Sequence, residues 1–371
     1  MRWIRQTLKG ALPLLPLFFA VMVSSVIEAQ VQTTGELPRT ARGLYMSACS
    51  NCHGIDGAGS ARAQMDLGLP LPDFTGCNFA SREPYFDWIA VAHQGGPVRG
   101  FSRLMPAFGE ALTEEQIRLT LEHIQTFCES EEWPPGDLNL PRALITEKAY
   151  PEDEAVYTAG IATEGRGQVT GEVVYEQRFG ARNQLELVVP FGWREGLVEG
   201  ADGDSEWGSS LGDIAVGAKR NLFHSLESGS IFSVAGEVLL PTGDEESGFG
   251  NGTVTFEPFV SYGQILPSDF FFQSQVGFEL PVDRDQASNE GFWRFSLGRS
   301  FNSRNFGRTW SPMVEFLGAS EFEDGTQTDW DVLPQVQITL NTRQHIMANV
   351  GVRIPMTNTE GRQTEFLVYL L

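Results

Sequence analysis

Beyond its first 29 residues this sequence has no apolar run of the ~20 residues that a membrane-spanning helix needs, which excludes a helical membrane bundle. It is also short of positive charge. Twenty-six Lys and Arg stand against 48 Asp and Glu, a formal net charge of −22. That balance argues against a nucleic-acid partner, because phosphate binding needs a basic footprint that is missing here. It is also mildly unfavourable for electrostatic attraction to acidic membrane surfaces. Cysteines are few: Cys49, Cys52, Cys77 and Cys128. None follows the N-terminal apolar run closely, so nothing points to a lipid anchor.

What is there begins with that run. Arg2, Arg5 and Lys9 precede an apolar stretch from Ala11 to Ile27, and Ala29 is a small residue at a cleavage point before Gln30. This predicts an export signal peptide over residues 1–29, removed from the mature protein. Pro13, Pro16 and the shortness of the stretch weigh against a retained anchor. Removal takes away three cations and Glu28 and brings the charge to −24. In an exported protein, thiols are consumed by disulfides or cofactors. A length of 371 residues suggests two domains.

Two textures divide the chain. From about Leu37 to Cys128 it reads as helices and loops: a short helix over 40–48, another over 83–94, and the clearest over 112–127. In the last, Thr113 followed three residues on by Gln116 is a capping box, and Ile117, Leu121 and Ile124 form an apolar stripe. Residues 129–155, with Trp133-Pro134-Pro135-Gly136 and Pro141, read as a linker.

From residue 156 to 371 the period falls to two. Val332, Pro334, Val336, Ile338 and Leu340 alternate with Leu333, Gln335, Gln337, Thr339 and Asn341, and the segments 272–280 and 346–354 repeat the pattern. About twelve such segments follow one another, beginning near residues 156, 168, 183, 210, 230, 252, 269, 291, 309, 331, 345 and 363. No helix pattern interrupts them, so the region must be an antiparallel sandwich or closed barrel. Strands of roughly ten residues, with an apolar face on every one and polar residues opposite, favour a transmembrane barrel. Tyr175, Trp193, Phe223, Tyr262, Phe270, Trp293, Trp310, Trp330 and Tyr369 lie near strand ends and could form its interfacial girdles.

The sharpest chemical signal is Cys49-Ser50-Asn51-Cys52-His53. In a C-x-x-C-H motif one turn presents both sulfurs to the haem vinyl groups beside the imidazole that ligates iron. Cys49 and Cys52 are thus expected to hold one haem c covalently, with His53 as proximal ligand. A thioredoxin-like dithiol would need a βαβ setting that is absent, and half a zinc site would need a second C-x-x-C. Candidates for the sixth ligand are Met65, Met105, His93 and His123. Met105, in the Pro-containing loop Arg103-Leu104-Met105-Pro106-Ala107-Phe108-Gly109, is favoured; a thioether there would raise the potential relative to two histidines.

Together with His53-Gly54, Leu71-Pro72-Asp73-Phe74, Trp88, Gly95-Gly96 and Met105-Pro106-Ala107-Phe108, this region resembles a class I single-haem cytochrome c over residues 38–128. The resemblance implies an all-α electron-carrier domain with His and Met axial ligands, His53 and Met105. Cys77 and Cys128 lie at its edges, outside the simplest pattern, and are expected to pair as a structural disulfide, as spare exported cysteines do. Further on, Leu211-Gly212-Asp213-Ile214-Ala215-Val216-Gly217-Ala218-Lys219 and Glu237-Val238-Leu239-Leu240-Pro241-Thr242-Gly243-Asp244 resemble the outer-membrane transporter family associated with the phenol-degradation meta-pathway. This second resemblance implies a β-barrel in the outer membrane of a Gram-negative bacterium. No catalytic constellation accompanies it, so no enzyme activity is expected; Asp213, Lys219, Glu237 and Glu257 read as polar lumen lining.

The chain is therefore expected to be an electron-transfer cytochrome tethered by its own barrel, porin-like in architecture, with the haem iron on the periplasmic side and periplasmic redox partners. The alternative is an outer-membrane channel for a small, hydrophobic or aromatic solute, gated or sensed by the haem domain. A haem enzyme such as a peroxidase would need an open sixth position.

Overall fold

The computed structural model describes residues 40–162, 167–199, 205–245, 248–302, 306–323 and 325–371. The expected signal peptide lies outside them. A helical region is followed by a β-barrel, and the two form one compact unit.

Six α-helices make the first region: α1 Ala41–Ala48, α2 Ser50–His53, α3 Ala61–Leu67, α4 Cys77–Ala80, α5 Tyr85–Gln94 and α6 Glu114–Gln125. Thr40 caps α1 through its side chain, and Thr113 and Gln116 form the full capping box of α6. The apolar stripe of α6 (Ile117, Leu121, Ile124) packs on Leu44 and Tyr45 of α1, with Phe74 and Leu112 completing a small buried core. Helices α3 and α4 are too short to show a period in the sequence. A disulfide joins Cys77 to Cys128, Cα atoms 5.1 Å apart, and ties the start of α4 to the chain just beyond α6.

The strands are β1 Glu154–Ala162, β2 Gln168–Phe179, β3 Asn183–Glu199, β4 Ser205–Leu211, β5 Ile214–Ser225, β6 Ser230–Leu240, β7 Thr255–Ile265, β8 Phe270–Pro281, β9 Glu290–Arg299, β10 Phe301–Asn302, β11 Thr309–Glu321, β12 Asp329–Thr339, β13 Met347–Pro355 and β14 Glu365–Leu370. All pair antiparallel with their neighbours. β14 returns to β1, with Tyr157 opposite Leu370, and β9 pairs β11, so the sheet is closed. β4 runs on into β5 and β10 extends β9, which leaves a twelve-strand barrel. The sequence pattern places eleven of the twelve starts within three residues; the remaining one, near 210, falls inside the β4–β5 crossing.

Side-chain polarity is inverted relative to a soluble protein. Val173, Tyr175 and Phe179 on β2, Val276, Phe278 and Leu280 on β8, and Phe366, Val368 and Leu370 on β14 all face outward and are 37–55 % exposed. Buried on the other face are Glu176, Gln184, Asn221, Gln273, Gln275, Glu315, Gln335 and Asn349. A water-soluble sandwich with that arrangement would expose its core, whereas a barrel in lipid requires it, with every backbone group paired around the ring. Tyr369 departs from the expected girdle: it is 1 % exposed and points into the lumen.

The chain between the two regions is not the free linker that its prolines and polar residues suggest. It enters the barrel and is buried over most of residues 138–152. Leu138 and Tyr150 pack on Ile231, Leu140 and Ala143 on Phe271 and Met313, and Leu144 on Val156, Val174, Leu317, Leu333, Leu367 and Tyr369. Both of its ends, near Pro135 and Asp153, lie at the end of the barrel that carries the turns 180–182, 226–229 and 266–269. The deepest residues, 144–147, reach the middle of the strands.

Candidate functional site

α2 follows α1 with only Cys49 between them, and its last residue is His53. Cys49 and Cys52 are three positions apart on this short helical turn, so their side chains share a face. Both thiols are free and partly buried. Burial pushes the His53 imidazole below its usual pKa, favouring the neutral ring that a metal ligand requires. Its Nδ1 is buried without a hydrogen-bond partner, and its ring stacks on Phe74 with centroids 4.8 Å apart. Phe74 in turn meets Trp88 edge-on at 5.5 Å, and Cys49, Ile89 and Phe108 line the same apolar core. Two free thiols, an imidazole with an unused nitrogen and a wall of aromatic rings are the donor set and surroundings that a covalently held haem needs.

The sixth-ligand candidates separate by environment. Met65 is 78 % exposed. The His93 ring lies 5.6 Å from Phe306 of the barrel and its Nδ1 is paired with Gln94. The His123 ring is wedged between Tyr45 and Phe127, at 5.3 and 5.1 Å. Met105 is half-buried in a loop clamped onto the end of α5. Gly96 N–H donates to Met105 O at 3.0 Å, Phe108 N–H to Ala92 O, and Gly109 N–H to His93 O, each also at 3.0 Å. The Gly95-Gly96 pair makes this clamp fit: Gly95 has φ +82°, and a Cβ on Gly96 would lie 2.3 Å from Ser102 O.

The helical region rests on the barrel through polar contacts at its rim. Arg99, 3 % exposed, bonds Asp87 at 2.6 Å and donates to Phe306 O at 2.7 Å. Burial raises the Asp87 pKa, and the Arg99 guanidinium opposes that rise. Glu83 accepts from His345 at 2.9 Å, and Arg343 lies over the Phe101 ring.

Inside the lumen, Arg142 donates to Glu154 and Glu176, both at 2.8 Å, while Lys219 reaches Glu147 at 3.3 Å. Carboxylate oxygens of Glu147, Glu176 and Glu186 lie within 4.8 Å of one another; Arg142 and Lys219 already supply cations there, so the cluster reads as an ion-pair network. Of the four polar residues expected to line the lumen, Lys219, Glu237 and Glu257 do so. Asp213 instead ties an outer loop, accepting from Gly243 N–H at 2.9 Å and Asn251 N–H at 2.8 Å.

A family model described as "Putative MetA-pathway of phenol degradation" matches residues 159–364, more than half of the chain. The chain belongs to this family. Ahead of the family's barrel, residues 36–124 match a second model, "Cytochrome C oxidase, cbb3-type, subunit III", a cytochrome c match that implies haem binding. No functionally curated protein matches. Among solved structures, this family member is similar to an outer membrane channel from Pseudomonas putida F1 (11 % identity, TM-score 0.42, covering 58 % of this chain and 92 % of that one). It is likewise similar to the NanC porin (10 %, 0.40, 58 % and 98 %) and to the KdgM porin (11 %, 0.38, 58 % and 96 %).

Proposed function

We propose that this protein is an electron-transfer cytochrome c, without enzyme activity, tethered to the outer membrane by its own barrel. One haem c is attached through Cys49 and Cys52, with His53 and Met105 as axial ligands and redox partners on the periplasmic side. The observation that carries the reading is the pair of free thiols on one helical turn beside His53, whose Nδ1 is buried and without a hydrogen-bond partner. Bound there, the haem supplies one-electron chemistry at its iron. The chain's own residues hold it, exclude water through Phe74, Trp88 and Phe108, and present Met105 from a loop fixed by Gly95 and Gly96.

An even number of crossings leaves both barrel ends of the chain on one side, the periplasmic side in barrels of this kind. The helical region contacts that same end, which supports a periplasmic haem. A single haem does not span an apolar band about 25 Å tall, so electrons would be exchanged on the periplasmic side only. Absorption spectra of the detergent-extracted outer-membrane fraction test the proposal. The native protein should show a low-spin haem with a Met–iron band, and Met105→Ala should lose that band while keeping the haem. Persistence of the band would refute the ligand assignment; absence of haem would refute the whole reading.

A second reading, a channel for small solutes, is favoured by the width of the barrel. Eight strands enclose a lumen that wall side chains can fill, and twelve enclose more; here the chain's own residues 138–152 occupy the surplus.

A further inference from the structure

We propose that residues 134–153 are a withdrawable gate and that the helical region is the handle that moves it. The proposal rests on the channel reading, not on the chemistry of the haem.

Three features support a gate over a permanent filling. First, among the described residues the segment has almost no secondary structure of its own, only the short 3-10 turn Gly136–Leu138. Its backbone groups are paired with side chains of the wall. The Glu315 carboxylate accepts from the N–H of Leu144 (3.0 Å), Ile145 (3.2 Å) and Thr146 (2.6 Å). Gln275 accepts from Glu147 N–H at 3.1 Å, and Gln184 from Glu152 N–H at 2.7 Å. Gln273 and Tyr369 donate to the carbonyls of Pro141 (2.8 Å) and Arg142 (2.9 Å). Water can replace each of these hydrogen-bond partners, and leaving the lumen breaks no helix or sheet; it does part Arg142 from Glu176 and Glu147 from Lys219, which keeps the closed state the major one.

Second, both ends of the segment open at the same mouth. It can therefore slide out as a loop, with no end to thread through the barrel.

Third, the helical region grips both roots. At the first, Asp137 accepts from Tyr85 N–H at 3.0 Å, and Gly136 lies so close to Arg82 O that a Cβ would be 2.4 Å from it. At the second, Tyr150 donates to Ser81 O at 3.2 Å and Arg82 pairs with Asp153 at 2.6 Å. The helical region is in turn latched to the barrel rim by the Arg99–Phe306 and His345–Glu83 contacts. Displacing it from the rim pulls on both roots together. The closed state is the one described here, with the open state a minor population until something competes for the latch.

The test is conductance of the complete haem-loaded protein in planar lipid bilayers with potassium chloride. Native protein should conduct in under about 10 % of the recording, as a minor state would. Arg99→Ala combined with His345→Ala, both outside the lumen, should raise the conducting fraction about tenfold. Adding Ala149→Cys and Ser233→Cys, a pair whose native side chain and carbonyl are hydrogen-bonded, should return it to the closed level once oxidised. Steady full conductance of the native protein would overturn the proposal. So would a latch variant that opens no more often than the native protein, or one that the oxidised cross-link fails to close. A variant with residues 138–148 replaced by a short Gly-Ser linker separates the two failures: if it conducts while the latch variant stays closed the gate alone is refuted, and if it too fails to conduct the channel reading is refuted.

Discussion

Gly96 leaves no space for a methyl group, because the carbonyl of Ser102 already occupies the position where one would stand. Replacing it with Ala must move the loop that carries Met105, although no ligand atom is removed. Gly96→Ala should therefore retain haem yet lose most of the Met–iron absorption band; an intact band would mean that the clamp does not position the thioether. A second residue-level prediction concerns His345. The hydrogen bond to Glu83 is the main cause that raises its pKa above 6.5, with Asp87 adding to the rise and burial and Arg343 opposing it. A raised pKa means that the contact is fully present below the ordinary histidine pKa and is lost as pH climbs through the elevated value. Amide protection factors at residues 82–86 and 341–346 should fall over that window, and His345→Ala should abolish the dependence. Half-exposed pairs contribute only ~0.2–1 kcal/mol, so the change should not exceed about fivefold. The cysteines were readable because their chemistry is written in adjacent or paired residues: Cys49 and Cys52 stand as free thiols on one turn with His53, and Cys77 is bonded to Cys128. The work of Gly96 was not, since what forbids a side chain there is a carbonyl that only the folded loop brings near.

Among the elements, the twelve barrel crossings were legible because alternation with period two extends through each of them, and α6 because its capping box and stripe are local. The lumenal segment was not. Its Leu138, Leu140 and Leu144 stand two and four residues apart, too few to mark a strand, and its prolines resemble those of a spacer. The residues that hold it, such as Glu315 and Gln335, lie 171 and 191 positions from Leu144. Tyr369 was misread for a different reason: alternation along β14 turns it inward, opposite the outward Phe366, Val368 and Leu370, and in the lumen its hydroxyl donates to the carbonyl of Arg142. Arg142 is the key to the segment's stability. Removing it would leave Glu154 and Glu176 only their longer contacts to Lys148 (3.8 Å) and Lys219 (3.9 Å), and breaking a buried ion pair costs about 3–5 kcal/mol. Arg142→Ala should accordingly lower the urea midpoint of barrel unfolding by the equivalent of several kcal/mol, while Arg62→Ala, on the exposed α3, should leave it unchanged.

For the molecule as a whole, the proposed orientation makes a direct prediction of sidedness. A cysteine at Ser288, in the connection between β8 and β9, should react with a membrane-impermeant maleimide on intact cells. One at Ser228, in the turn between β5 and β6, should react only after the outer membrane is permeabilised. The reverse pattern would put the helical region outside the cell. Apolar residues outside and polar residues inside are what made the membrane barrel readable at this scale, for no soluble core tolerates Glu176, Gln184 and Gln275 together. The route of residues 134–153 also has a bearing on how the molecule is made. Because this loop precedes β1 and returns to the mouth it entered by, the barrel can be built around it when β14 meets β1, without any domain being threaded through a finished ring. Haem attachment to the helical region and closure of the β1–β14 seam are then topologically independent, and neither has to wait for the other.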